Sequence, residues 1–258
     1  MGKIKVKRKS TLIDMTAMSD VTVLLLTFFM LTSTFLQKEP TQVITPPSVS
    51  ETKVEISNVA QILVATDPEQ EKTKVFINIT GEADPDLPEV APGEETDTWY
   101  PGMWSSENLR KTVIVNAAKK YQDVTGHDPG ITPQDVQVFS KIGTFGVPME
   151  KMHEFLSLPQ GNQDDWISDM SRNDVGIRLT PFTGKDGRET SEFQIWMEAI
   201  RDSGNPALTE AMRKTGSGIA VKADRETPFS MVNEVLENLR AIKLNKFTVM
   251  TALKTEND

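Results

Sequence analysis

Cysteine is absent from all 258 positions of the chain. That excludes a disulfide scaffold, a thiolate metal site and a cysteine nucleophile. It leaves the redox compartment open, since many exported proteins also lack the residue. Histidine is almost as scarce. His127 and His153 are far apart in sequence, and neither has a ligand-like spacing around it. There is no glycine-rich phosphate loop and no G-x-S-x-G elbow, so nothing points to an enzyme. Basic residues are outnumbered, 28 against 37 acids, for a net charge of −9. A nucleic-acid binder is normally basic, so no nucleic-acid partner is expected. Adjacent acids such as Asp164-Asp165 and Glu94-Glu95 read as solvated surface. At 38% hydrophobic and 25% charged residues, the averages describe an ordinary acidic globular protein of one large domain or two smaller ones.

The charge is unevenly spread. Lys3, Lys5, Lys7, Arg8 and Lys9 precede any acid, and residues 1–38 carry six bases and two acids, a balance of +4. The rest of the chain therefore carries −13, the difference from −9. Between the basic head and the acidic body runs VTVLLLTFFMLTSTFL, Val21 to Leu36, sixteen residues without a charge. Extended back to Leu12 the segment is 25 residues, interrupted only by Asp14 and Asp20. As a helix it reaches about 37 Å, against a hydrocarbon core of roughly 30 Å. Three readings compete. A cleaved signal peptide is disfavoured by the two acids and by the lack of a small-x-small cleavage site. A buried core helix is disfavoured because the segment is apolar on every side. A single membrane-spanning helix over 12–37 fits best. The positive-inside rule then keeps segment 1–11 cytoplasmic and sends the rest across the membrane, into the periplasm of a Gram-negative cell.

Asp20 lies against the apolar run. A carboxylate at that depth costs roughly 2.5–3.5 kcal/mol on insertion scales. Protonation or a polar partner relieves the cost, and a single span has no second helix of its own. The acid thus predicts a partner subunit. Thr16, four residues before, and Thr27, seven after, fall near the same helical face. Their hydroxyls would extend a polar path or pack between helices. Asp14 falls on a different face and reads as an interfacial acid or a helix cap.

The run Ile13-Asp14-Met15-Thr16-Ala17-Met18-Ser19-Asp20-Val21, followed by LLLTFFMLTSTF, resembles the N-terminal signature of the ExbD/TolR family. It departs from that signature at Ala17, where many members have Pro, and at Ser19, where many have an aliphatic residue. The resemblance implies that Asp20 is the proton-coupling carboxylate and Thr16 its neighbouring threonine; Thr27 joins them as a supporting polar group through its helical face. It implies protons as the coupling ion and no other cofactor. The implied partners are an ExbB/TolQ/MotA-like ring in the inner membrane, a second copy of the chain, and a TonB-like periplasmic protein. A TolR-like role in envelope maintenance, a gliding-type motor, and a passive membrane-anchored binding module remain alternatives.

Beyond the span, 38–57 is rich in Thr, Ser, Val and Pro, with Pro46-Pro47 inside it, and reads as an extended linker or as an extended pairing element. Val59–Thr66 and Thr73–Thr80 are rich in β-branched residues, with turn chemistry at 67–72, and predict a hairpin. Residues 81–106 hold seven acids, four prolines and no base, and read as a solvated loop. Asp84, Asp86 and Glu89 make a weak calcium alternative there. Leu109, Val113, Ala117 and Tyr121 predict a helix from Ser106 that Gly126 stops. Thr132-Pro133-Gln134-Asp135 marks a second helix start. Pro148 opens a short helix to Leu156, and Trp166 follows in a polar segment. Thr190–Asp202 reads helical, with Phe193, Trp196, Met197 and Ile200 in the core.

The end of the chain predicts a βαβ unit: strand Gly218–Ala223, a helix capped by Thr227-Pro228 and running to about Lys243, and strand Lys246–Leu253. The spacing puts Phe229, Val232, Leu236, Leu239 and Ile242 on one side of that helix. This unit, 217–254, and the stretch 41–80 are also similar to ExbD/TolR periplasmic domains, both more weakly than the N-terminal run over 12–36. The expected architecture is membrane-anchored α+β: one N-terminal transmembrane helix, then a periplasmic α+β domain over 58–258. Residues 82–214 would be a helical insertion of the kind seen in long Bacteroidetes-type members of the family.

Overall fold

The computed structural model describes residues 15–32, 43, 45, 47–48, 57–67, 72–83, 104–250 and 252–253. It divides the chain into two compact units, 1–37 and 38–258. In the first, α1 (Met15–Thr32) is a continuous helix. In the second, a two-residue strand β1 (Pro47–Ser48) precedes β2 (Val59–Asp67) and β3 (Lys72–Thr80). Then follow α2 (Ser106–Thr125), α3 (Pro133–Lys141), β4 (Thr144–Phe145), α4 (Met149–Leu156) and α5 (Gln160–Ser168). A small hairpin, β5 (Phe182–Thr183) and β6 (Glu189–Thr190), leads into α6 (Glu192–Arg201) and α7 (Pro206–Glu210). A π-helical turn, Ala211–Thr215, closes that stretch. The chain then runs through β7 (Ile219–Ala223), α8 (Phe229–Ala241), β8 (Thr248–Met250) and β9 (Ala252–Leu253).

The predicted hairpin forms as β2 and β3, antiparallel from Val59↔Thr80 to Asp67↔Lys72. It lies inside a five-stranded mixed sheet of order β4-β3-β2-β7-β8. β7 runs parallel to β2, and β8 parallel to β7. The predicted βαβ unit therefore docks beside the hairpin through its first strand. Ile62, Leu63, Val64 and Ala65 are buried consecutively, as a central strand requires when both faces are covered. The alternating pattern of a half-exposed strand would have left every second one wet.

α2 follows its predicted signals. Ser105 Oγ caps the Asn108 amide, and Gly126 takes the left-handed conformation, φ 79°, while its amide closes on Gln122 O. A side chain there would be strained, and a Cβ would meet Lys185. Leu109, Val113, Ile114, Ala117 and Tyr121 turn inward. Phe139, Phe145 and Trp196, from α3, β4 and α6, form one aromatic cluster: Trp196 lies 4.6 Å from Phe145 and 5.8 Å from Phe139 between ring centroids. Val43, within the predicted linker, is buried in the same core. Pro47 and Ser48 pair in parallel with Ala252 and Leu253 of their own chain.

Several local expectations need correcting. The polar segment that holds Trp166 forms a helix, α5, which the sequence did not announce. The apolar spacing there is too sparse to announce a helix; α5 buries only Gln163 and Ile167. Thr227 does not cap α8. Pro228 holds the cap position without a side-chain bond, while the Thr227 hydroxyl lies 2.9 Å from that of Thr66. Helix α8 ends at Ala241, and Lys243 turns left-handed at φ 64°. Phe229 is 78% exposed, and Val235 with Leu239 forms the buried contact. Asp84, Asp86 and Glu89 lie outside the described residues.

The stretch between the hairpin and β7 is not peripheral to the core. It adds β4 to the sheet edge at Ile77↔Phe145 and Asn78↔Thr144, and it packs α2 against β3, α3 and α6.

Candidate functional site

Asp20 sits within α1, the helix expected from the sequence. Thr16 is in the same helix, but its side chain is not among those described. Asp20 and Thr27 are seven residues apart, so they share a face about 10 Å apart along the axis. The Thr27 hydroxyl donates to Leu24 O at 2.9 Å, and the Thr22 hydroxyl to Met18 O at 2.7 Å. Both hydroxyl protons are spent inside the helix, which leaves the oxygens as acceptors for any outside donor.

Around the acid, Met18, Val21, Val23, Leu24, Leu25, Leu26, Phe28 and Phe29 are all 56–63% exposed. These positions cover the helix except for the strip that Asp20 and Thr27 share. So broad an apolar surface is normally covered by lipid or by other helices. Among the described residues no helix is long and apolar enough to cross a membrane. The 18 residues of α1 amount to about 27 Å at the helical rise. Residues 12–14 and 33–37, which the expected span includes, lie outside the described residues.

The second unit holds three buried polar centres, of which only Asp135 was marked in the sequence, as part of a helix start. Arg110, 3% exposed, is a cation held by carbonyls: its Nε donates to Ile79 O at 3.0 Å and its Nη1 to Ser140 O at 3.3 Å. Burial pulls its pKa down, and Glu107 opposes that. Ser140 is near the C-terminal end of α3, where carbonyls lack helical partners and the dipole favours a cation.

Asp135, 3% exposed, completes a capping box with Thr132 and also receives His153 Nδ1 at 2.7 Å. Burial pushes this carboxyl up. The Thr132 amide, His153 and the Thr132 hydroxyl outweigh burial and hold it below the usual range. The T-P-Q-D start reveals the cap, but no signal in sequence links Asp135 to His153.

Glu192, 4% exposed, accepts a hydrogen bond from the Met149 amide at the start of α4. Burial raises its carboxyl to about 7, against the pull of the Met149 amide and Arg178 and with the push of Glu150. Tyr121 donates to Glu150 at 3.1 Å, and burial first, then Glu150, pushes its hydroxyl up to about 12.

No described group resembles a catalytic constellation: Arg110 bridges elements, Asp135 caps a helix, and Glu192 caps another. Lys72, Lys74 and Arg172 are likewise spent on holding the turn at 169–174. Lys72 and Lys74 donate to Ser171 O and Arg172 O, while Arg172 forks onto Asp174 and lies 3.9 Å over Trp166. Among the described residues no group of three or more His, Asp or Glu is placed to hold a metal ion.

An acid within an apolar helix, followed by a separate α+β unit, defines a class of protein built as one helix plus one folded domain. Residues 6–124, a little under half of the chain, match the family model of the biopolymer transport protein ExbD/TolR. The matched stretch runs from the basic head through α1 and the hairpin to the last turn of α2. No curated protein and no solved structure matches the chain.

Proposed function

We propose that the chain is the ExbD-like subunit of an inner-membrane proton-channel motor. The match of residues 6–124 to the family model supports a subunit of an energising complex for biopolymer transport. The observation that carries the finer reading is one carboxylate, Asp20, on a helix whose other described side chains are apolar or hydroxylated. α1 spans the inner membrane with the basic head in the cytoplasm, and the 38–258 unit lies in the periplasm. An ExbB-like ring surrounds α1 and supplies the polar surroundings that the isolated helix does not offer Asp20.

Protonation removes the charge and lets Asp20 face apolar neighbours; ionisation returns it to polar ones. The field across the membrane is worth about 2.3 kcal/mol per charge per 100 mV. Alternate charging of Asp20 therefore biases the helix between two settings. The periplasmic unit transmits the change to a TonB-like partner and so energises outer-membrane transport.

Asp20→Asn keeps the size and removes titration, and Asp20→Glu keeps titration. With assembly and membrane level unchanged, Asn should abolish energised transport and Glu should retain part of it. Full transport by Asp20→Asn would sink the proton role and leave a passive anchor. A defect confined to envelope integrity would move the assignment to a TolR-like role.

A further inference from the structure

α4 begins at Met149 behind a proline that offers its end no side-chain cap. The cap comes instead from another helix, 43 positions along the chain: Glu192, the first residue of α6, takes the Met149 amide proton. A helix start favours an anion, whereas burial favours the neutral acid. These two demands meet on one carboxyl.

Each element around it presents its own group. α4 brings Glu150, a like charge. The segment before β5 brings Arg178, which is 3.7 Å from Glu150 and half exposed. α2 brings Tyr121, which stays neutral and is bonded to Glu150; its Lys120 is taken by Glu198 and Asp202. α8 brings the neutral Asn238, bonded to Ser191 beside Glu192. One turn further along α4, His153 is tied to Asp135 of α3. Arg178 thus divides its charge between two carboxylates when both are ionised, and Tyr121 has no positive charge to give.

The geometry points to a proton-sensitive joint between α6 and α4: neutral Glu192 holds the start of α4 closed, and ionised Glu192 favours its release. Release carries the carboxyl into water, where its charge costs nothing, so a rise in pH shifts the joint towards the open form. No bond is made or broken besides the loss of the carboxyl proton to solvent. The joint is independent of Asp20 and lies in a different unit of the chain. It makes the 38–258 unit itself responsive to the acidity of its compartment.

Amide hydrogen exchange on the full chain in detergent tests this, with rates corrected for the intrinsic pH dependence. A carboxyl moving from about 7 when closed to its ordinary value when open should lower the protection of residues 149–157 about tenfold between pH 6 and pH 8. The amides of β2 should not follow. Glu192→Gln keeps an acceptor for Met149 and should abolish the fall. Unchanged protection in the wild type, or an equal fall in Glu192→Gln, overturns the joint. Should the variant fail to fold, carboxyl-carbon titration of the wild type decides instead: a Glu192 midpoint below about 5 overturns it, and one near neutrality supports it.

Discussion

His153 Nδ1 lies 2.7 Å from Asp135 Oδ2 and ties α4 to the first turn of α3. The same carboxylate oxygen accepts from the Thr132 amide and hydroxyl at 2.8 Å each. Asp135→Asn should cost about 1–3 kcal/mol of stability at pH 7, the range for a lost cap plus a charge-assisted bond. Because the folded carboxyl sits below its ordinary value, its contribution is present above the unfolded value and fades as pH falls through the folded one. Urea unfolding at pH 7 and pH 3 should therefore show a gap between variant and wild type that narrows in acid.

Arg110 joins β3 to the end of α3 without a carboxylate in its shell of direct bonds. Arg110→Ala strands the carbonyls of Ile79 and Ser140 and opens a cavity, for an expected loss of about 2–4 kcal/mol. Arg110→Lys should recover little, because one ammonium cannot reproduce the fork that meets both carbonyls. Thermal unfolding of the two variants checks the ranking.

Trp196 is fully buried, and its Nε1 has no hydrogen-bond partner among the described residues. Trp196→Phe removes that donor but leaves part of the indole volume empty, and these effects oppose each other. The substitution should cost no more than about 1.5 kcal/mol, whereas Trp196→Ala should cost about 3–5 kcal/mol. A Phe variant as unstable as the Ala variant would show that the indole N–H has a partner in solution.

Thr27 gives its hydroxyl proton to Leu24 O. Thr27→Val keeps the shape and loses only that internal bond and an acceptor. Energised transport should fall far less for Thr27→Val than for Asp20→Asn, at matched membrane levels. Equal losses would make Thr27 a full member of the proton path.

Much of the second unit was legible along the chain because its signals are local. Ser105 and Gly126 bracket α2 within the reach of one helical turn at each end, and Thr132 to Asp135 carry the whole start of α3. The hairpin was equally plain, since two β-branched runs flank one turn. α5 was hidden because it buries little, and Thr227 misled because a cap-like residue found a better partner in Thr66. The polar centres were illegible for a different reason. Arg110 meets Ile79 31 positions away, and Glu192 meets Met149 43 positions away, with no periodicity linking them.

The absence of cysteine, the scarcity of histidine and the uneven charge already narrowed the chain to a basic head, an apolar helix with one acid and an acidic folded body. Those properties belong to composition and to neighbours within a few residues, so the sequence alone carries Asp20 and its helical face. Which buried groups share a proton, a carbonyl or a helix end depends on packing between distant elements. Burial changes the cost of a charge only once the fold has closed around it, so the roles of Glu192 and Arg110, and the tie of Asp135 to His153, were settled by tertiary structure.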